Sequence, residues 1–127
     1  MILVDACIYI RWLRDRADLF AELGDHLKRG DLITCGVVRA EVLRGVISVG
    51  ARERMELLFA AMQEAPMGPT IWSEVAELAW ELDRRGEVLP LTDIAIAVCA
   101  REVGATVITT DPHFKKVPGL KVRATLA

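Results

Sequence analysis

The sequence lacks the features that mark several broad classes of protein. It has only three cysteines, Cys7, Cys35 and Cys99, which are widely spaced and form no C-x-x-C pair or Cys/His zinc pattern. A disulfide framework is therefore excluded, and because all three lie in apolar runs we expect buried, reduced thiols. No apolar run approaches the roughly 20 residues that a membrane-spanning helix needs, since the run at 94–100 is far too short.

An excess of positive charge is also missing. The chain has 16 Lys and Arg against 18 Asp and Glu, a net charge of -2 and a pI near 5.7. Proteins that bind nucleic acid through overall charge have the opposite balance, although local contacts or an enzyme that uses cations remain open. No basic leader or cleavage site precedes the first apolar run, so we expect no signal peptide and a cytoplasmic location.

What the sequence does contain is a regular alternation of strand and helix patterns. Its 127 residues, 53% of them hydrophobic, suit one domain over residues 1–127. Short apolar runs predict strands at 1–4, 32–35 and 105–109, and a last, edge strand is expected at 120–124, with room for one more short strand near 66–69. Apolar faces with helical spacing lie at 19–27, 37–46, 55–62, 71–82 and 94–100. This alternation predicts an α/β fold with a mainly parallel sheet.

Four acidic residues border these apolar segments. Asp5 follows the first strand, Asp111 follows the strand at 105–109, Glu41 lies early in the helix after the second strand, and Asp93 begins the apolar helix at 94–100. The carboxyl ends of parallel strands and the starts of the helices that follow them share one edge of a sheet. We therefore expect the four carboxylates to lie in one pocket.

Each acid also has a plainer interpretation. Asp93 could be a helix N-cap, Asp111 could form an Asx turn before Pro112, and Glu41 could pair with Arg44 on a helix surface. Asp5 is the hardest to explain in this way, because burying an unpaired carboxylate costs several kcal/mol, roughly. These interpretations weaken when all four acids are predicted at the same edge.

A divalent metal ion is the natural partner of such a cluster. Four ionised carboxylates repel one another strongly at close range. An all-oxygen ligand set favours Mg²⁺ or Mn²⁺ over zinc or copper. Ions of this kind bind phosphate oxygens, activate water and stabilise a leaving oxygen, so the pattern predicts a phosphodiester hydrolase.

Four segments in this order carry a resemblance to a known family. They are "ILVDACIYI", "AEVLRG", "TDIAIAVCA" and "TTDPHF", which contain Asp5, Glu41, Asp93 and Asp111. Together they resemble the PIN-domain ribonucleases, and most closely the VapC-type toxins of toxin–antitoxin pairs.

The resemblance implies both a fold and an activity. The implied fold is a three-layer α/β/α sandwich around a short, mainly parallel central sheet, as a single PIN-like domain over 1–127. The implied activity is Mg²⁺- or Mn²⁺-dependent endoribonuclease cleavage. Asp5, Asp93 and Asp111 would bind the main ion, and Glu41 would complete the catalytic set directly or through water. The implied partners are an RNA substrate, a small antitoxin protein and a second copy of the chain.

Two departures from the family pattern suggest an alternative. Many relatives have polar residues where this chain has Ala6 and Cys7, and relatives often carry an acid at the position of His113. The alternative is a catalytically silent PIN-like module that binds RNA or a partner without cutting. A phosphotransfer protein also places an Asp after a buried strand, but the paired acids and the residue types that it needs are absent here.

Basic residues near the motif segments are candidate contacts for RNA phosphates. Those predicted as RNA-binding are Arg11, Arg39, Arg44 and Lys115. An ordinary solvated surface remains the plainer interpretation for any one of them.

Overall fold

The computed structural model describes residues 1–127 and contains five strands and six α-helices. The strands are β1 (Ile2–Val4), β2 (Leu32–Thr34), β3 (Gln63–Glu64), β4 (Thr106–Ile108) and β5 (Lys121–Arg123). The helices are α1 (Ala6–Arg14), α2 (Leu19–Arg29), α3 (Gly36–Arg44), α4 (Val49–Ala60), α5 (Pro69–Arg84) and α6 (Leu91–Glu102). A 3-10 helix, Pro112–Lys116, follows β4.

All strand pairs are parallel, in the order β3-β2-β1-β4-β5. The central strand β1 pairs with β2 on one side and β4 on the other, so that Leu3 lies level with Ile33 and Val107. The α/β class and the three-layer PIN-like architecture are thereby confirmed. The order also places the ends of β1 and β4 side by side.

The core explains why β1 and α6 are so apolar. All three residues of β1 are buried, and so are all residues from 94 to 100 in α6. They belong to one cluster of 33 buried hydrophobic residues. A helix that is apolar on all sides lies inside its fold, as α6 does here. None of the six α-helices combines the length and the apolar character needed to cross a membrane.

Helix α1 is the main element absent from the sequence-based expectations. It begins directly after β1 because the side chain of Asp5 accepts a hydrogen bond from the Ala6 N–H and caps the helix. Its apolar residues Ile8 and Tyr9 are buried, and the ring of Tyr9 packs edge-on against that of Phe59 in α4. The first carboxylate is therefore held between a strand end and a helix start.

Two predictions of where an element lies were wrong, one for the start of α6 and one for the position of β3. Helix α6 begins at Leu91 rather than at Asp93, because Pro90 occupies the cap position and Asp93 is the third helical residue. Strand β3 lies at Gln63–Glu64 rather than within 66–69. Its pairing with β2 ends at the hydrogen bond from the Ala65 N–H to the Thr34 carbonyl.

Candidate metal centre

Asp5 is a buried carboxylate held by hydrogen bonds at the end of β1. Only 4% of the residue is exposed. Its Oδ1 accepts from the Ala6 N–H at 2.8 Å, and its Oδ2 accepts from the hydroxyl of Thr109 at 2.8 Å. The backbone N–H of Asp5 donates to the Ile108 carbonyl at 3.0 Å, which joins the ends of β1 and β4. These contacts fix the orientation of the carboxylate.

Thr109 connects two of the four acids. Its buried hydroxyl donates to Asp5 and accepts a hydrogen bond from the Asp111 N–H at 3.0 Å. The sequence presented Thr109 only as part of a motif, without a separate role. Its position after a strand that neighbours β1 is what allows it to contact both segments.

Asp93, Asp111 and His113 form the second half of the cluster. Nδ1 of His113 lies 2.9 Å from Asp93 Oδ2 and 3.1 Å from Asp111 Oδ1. One donor atom from each of the three residues lies within 4.8 Å of the others. The sequence offered His113 no more than a minor general-acid role, and only the fold places it beside Asp93, 20 residues away.

Of the three plainer interpretations of the acids, the structure contradicts two and bears out one. The cap position of α6 is Pro90, so Asp93 is not an N-cap. Asp111 does make the expected local turn, because its Oδ1 accepts from the His113 N–H at 2.9 Å. No ion pair joins Glu41 to Arg44. A capping bond leaves the second oxygen of Asp111 available, so it does not conflict with a ligand role.

Glu41 completes the acidic cluster from α3. Burial, with the added negative charges of Asp5 and Asp93, raises the pKa of Glu41, and the charge of Arg44 opposes the rise. Burial also raises the pKa of Asp93; the charges of Asp111 and Asp5 add to this, and the hydrogen bond from His113 works against it. Glu41 is thus close enough to Asp5 and Asp93, and Asp93 close enough to Asp5 and Asp111, for their charges to interact.

The raised pKa of Glu41 predicts a measurable stability effect in metal-free protein. Between its ordinary pKa of 4.5 and the higher folded value, the native state binds more protons than the unfolded state. Stability therefore falls as the pH rises through this window, and the penalty is complete above it. We expect Glu41→Gln to raise the free energy of unfolding near pH 7.5, with no gain below the ordinary pKa of 4.5.

Urea unfolding in EDTA at both pH values would measure this effect. Glu77→Gln is a matched control, because Glu77 is exposed on α5 and makes no ion pair. An equal change in both variants, or a loss of stability in Glu41→Gln at pH 7.5, would contradict the prediction.

Cys7 departs from the polar residue of the family pattern, but its thiol still donates a hydrogen bond to Asp5. The Cys7 thiol donates to Asp5 Oδ2 at 3.1 Å and lies 3.4 Å from the Thr109 hydroxyl. Burial raises the pKa of this thiol, which keeps it protonated and able to donate. A weak donor is therefore present where relatives often have a hydroxyl or amide.

The four candidate RNA contacts differ in their surroundings. Arg39 is paired with Glu64, with Nε at 2.6 Å from the carboxylate. Arg11 is half-buried on α1, whereas Arg44 and Lys115 are exposed. Arg44 follows Glu41 by one helical turn, and Lys115 lies in the 3-10 helix that Asp111 caps. Arg44 and Lys115 form no ion pair in the structure, so both are available to bind an anion.

The residues present fit a divalent metal ion. Glu41 Oε1 is buried and has no hydrogen-bond partner, an unusual state for a carboxylate oxygen. Asp5, Asp93 and Asp111 supply further oxygens from three other segments. Oxygen donors are the ligands that Mg²⁺ and Mn²⁺ prefer. A bound cation would both satisfy the orphaned oxygen and offset the repulsion within the cluster.

The profile of the PIN domain family matches residues 2–120. No curated protein sequence matches the chain.

Several solved structures share the fold. VapBC2 from Rickettsia felis, bound to a promoter DNA fragment, has 22% identity and a TM-score of 0.78, covering 97% of this chain and 98% of that one. DNA-bound VapBC from Salmonella typhimurium has 18% identity and a TM-score of 0.77 over the same shares. VapBC-1 from nontypeable Haemophilus influenzae has 20% identity and a TM-score of 0.75, covering 97% of each chain. At these identities the likeness establishes the fold.

Proposed function

The chain belongs to the PIN-domain family, and from this premise we propose that it is a metal-dependent endoribonuclease, the toxin of a toxin–antitoxin pair. The observation that carries the proposal is the convergence of four carboxylates from β1, α3, α6 and the end of β4, one of which has a buried oxygen without a partner. Mutual repulsion within such a cluster costs stability, as functional sites often do, although Asp5 and Asp111 also cap helices.

In this proposal Asp5, Asp93 and Asp111 hold the main Mg²⁺ or Mn²⁺ ion, and Glu41 completes the site directly or through water. A bound ion neutralises phosphate charge, makes water a stronger nucleophile and stabilises the leaving oxygen. The protein's own contribution is to orient the ligands: Thr109 fixes the Asp5 carboxylate and the start of the Asp111 turn.

The basic side chains orient the substrate in the same proposal. Arg44 and Lys115, with Arg11 and Arg39, contact phosphates of RNA on either side of the cut bond. Contacts to phosphate position a nucleic acid without reading its sequence. The net charge of -2 fits such local contacts, since overall charge cannot supply the affinity.

The proposed partners are a small antitoxin and a second copy of the chain, in the cytoplasm. The similar structures include members of the VapBC family of toxin–antitoxin systems. An apolar groove of about 390 Å³, lined by Ile10, Val42 and Ile47 among others, lies beside the helix that carries Glu41. Ile47 is 99% exposed and Ile10 is 47% exposed, and both line this groove, which gives it the exposed apolar patch typical of a protein contact site.

The proposal is tested by incubating purified protein with a mixed pool of structured RNA and, in parallel, with DNA of matched lengths. We expect RNA cleavage in Mg²⁺ or Mn²⁺, none in EDTA, recovery when metal is restored, and little cleavage of DNA. Cleavage that persists in EDTA would overturn the metal requirement. Binding of RNA without cleavage by folded, metal-loaded protein would favour the silent binding module.

A further inference from the structure

His113 lies next to two of the carboxylates of the metal centre. Its Nδ1 is directed at two carboxylates, 2.9 Å from Asp93 Oδ2 and 3.1 Å from Asp111 Oδ1. The His113 side chain is 37% exposed, so the side of the cluster it forms is open to water and to a substrate. It is the one nitrogen donor in a cluster otherwise made of oxygen donors.

The position of the imidazole is fixed by its neighbours. The backbone N–H of His113 donates to Asp111 Oδ1, and the next residue, Phe114, is buried in the core. The ring therefore extends from a short 3-10 helix anchored on both sides. A ligand held in place in this way needs little reorganisation when it binds an ion.

The spacing of the donor atoms fits six-coordinate geometry. Two adjacent ligands at about 2.1 Å from an octahedral ion lie about 3.0 Å apart. The two distances from Nδ1, 2.9 and 3.1 Å, bracket that value, so an ion would take the place of the proton that Nδ1 donates to Asp93 in the metal-free chain. Ligands of a tetrahedral zinc ion at about 2.0–2.1 Å lie farther apart, at about 3.3 Å.

We propose that His113 binds the metal ion of this centre through Nδ1 and makes the site selective for Mn²⁺ over Mg²⁺. This inference rests on the proposed metal site. Mg²⁺ is a hard ion that favours oxygen ligands and keeps its waters, whereas imidazole nitrogen suits first-row transition metals. Among these, Mn²⁺ accepts both carboxylate oxygen and octahedral geometry.

The test is Mn²⁺ binding by the full chain at one fixed pH, followed by electron paramagnetic resonance. Spin-echo modulation detects a nitrogen bound directly to Mn²⁺, and ¹⁵N-histidine labelling of the unaltered protein assigns that nitrogen to a histidine. Competition with Mg²⁺ gives the metal preference. The variants are His113→Asn, which removes the imidazole, and His26→Asn, a control whose ring contacts Asp31 and Arg29 away from the centre.

We expect histidine nitrogen modulation in the unaltered protein and in His26→Asn, and none in His113→Asn. The preference for Mn²⁺ over Mg²⁺ should fall at least about tenfold in His113→Asn. Mn²⁺ that binds in an Asp5-dependent way without nitrogen modulation would overturn the role of His113 and leave the proposed nuclease standing. Failure of the unaltered protein to bind Mn²⁺ or Mg²⁺ would overturn both.

Discussion

Asp5→Asn is expected to lower the rate of metal-dependent RNA cleavage about 10²- to 10³-fold, the size of effect seen when one preorganised electrostatic group is removed from an active site. Asparagine has nearly the same shape, and its oxygen can still accept the capping bond from the Ala6 N–H. The fold should therefore persist, whereas the negative charge and the second ligand oxygen are lost. The measurement is the initial rate of cleavage at saturating Mg²⁺ or Mn²⁺.

Asp83→Asn is the matched control for this substitution. Asp83 is exposed near the end of α5 and forms no ion pair, so the same chemical change there should leave the rate unaltered. A rate within about threefold of the unaltered protein for folded Asp5→Asn would remove Asp5 from the centre.

The second large effect is expected from Thr109→Val, which preserves shape and removes one hydroxyl. Asp5 Oδ2 then loses its shortest hydrogen bond and the Asp111 N–H loses its acceptor. Removing a group that orients metal ligands typically lowers metal affinity 10- to 100-fold, and we expect a loss of about that size here. A destabilisation of about 1–2 kcal/mol should accompany it, because the Asp111 N–H is left without an acceptor and Asp5 Oδ2 keeps only the weak thiol donor of Cys7.

Metal titration separates the orienting role from a merely structural one. Thr106→Val, on the same strand, is the control, since the Thr106 side chain makes no hydrogen bond in the structure. Thr109→Val with reduced stability but unchanged metal affinity would show that the hydroxyl serves the fold alone. Reduced metal affinity in both variants would mean that a disturbance of strand β4, rather than loss of the Thr109 hydroxyl, causes the effect.

The parts of the fold that depend on local pattern were accessible from the sequence. The apolar runs that became β1, β2 and β4 are short and bounded by turn residues, which is typical of strands buried in a parallel sheet. The convergence of the four acids also followed, because parallel strands end at one edge. The same rule applied to Glu41, because α3 follows β2, whereas Asp93 lies on α6, which follows α5 and leads into β4.

The parts that depend on long-range contacts were not accessible. Thr109 contacts Asp5 across 104 positions of sequence, and His113 meets Asp93 only because β4 and α6 lie together. Helix α1 was missed for a local reason: its β-branched and aromatic residues, such as Ile8 and Tyr9, also suit a strand. The capping bond from Asp5 and burial against α4 decide in favour of the helix.

The most direct test of the central claim is to locate the ion. Crystals of the unaltered protein grown with Mn²⁺ should show an anomalous scattering peak about 2.1–2.3 Å from carboxylate oxygens of Asp5, Asp93 and Asp111, with Glu41 in contact directly or through one water. A peak at another place, or none at Mn²⁺ concentrations that support RNA cleavage, would contradict the claim that these four acids form a metal-dependent nuclease centre.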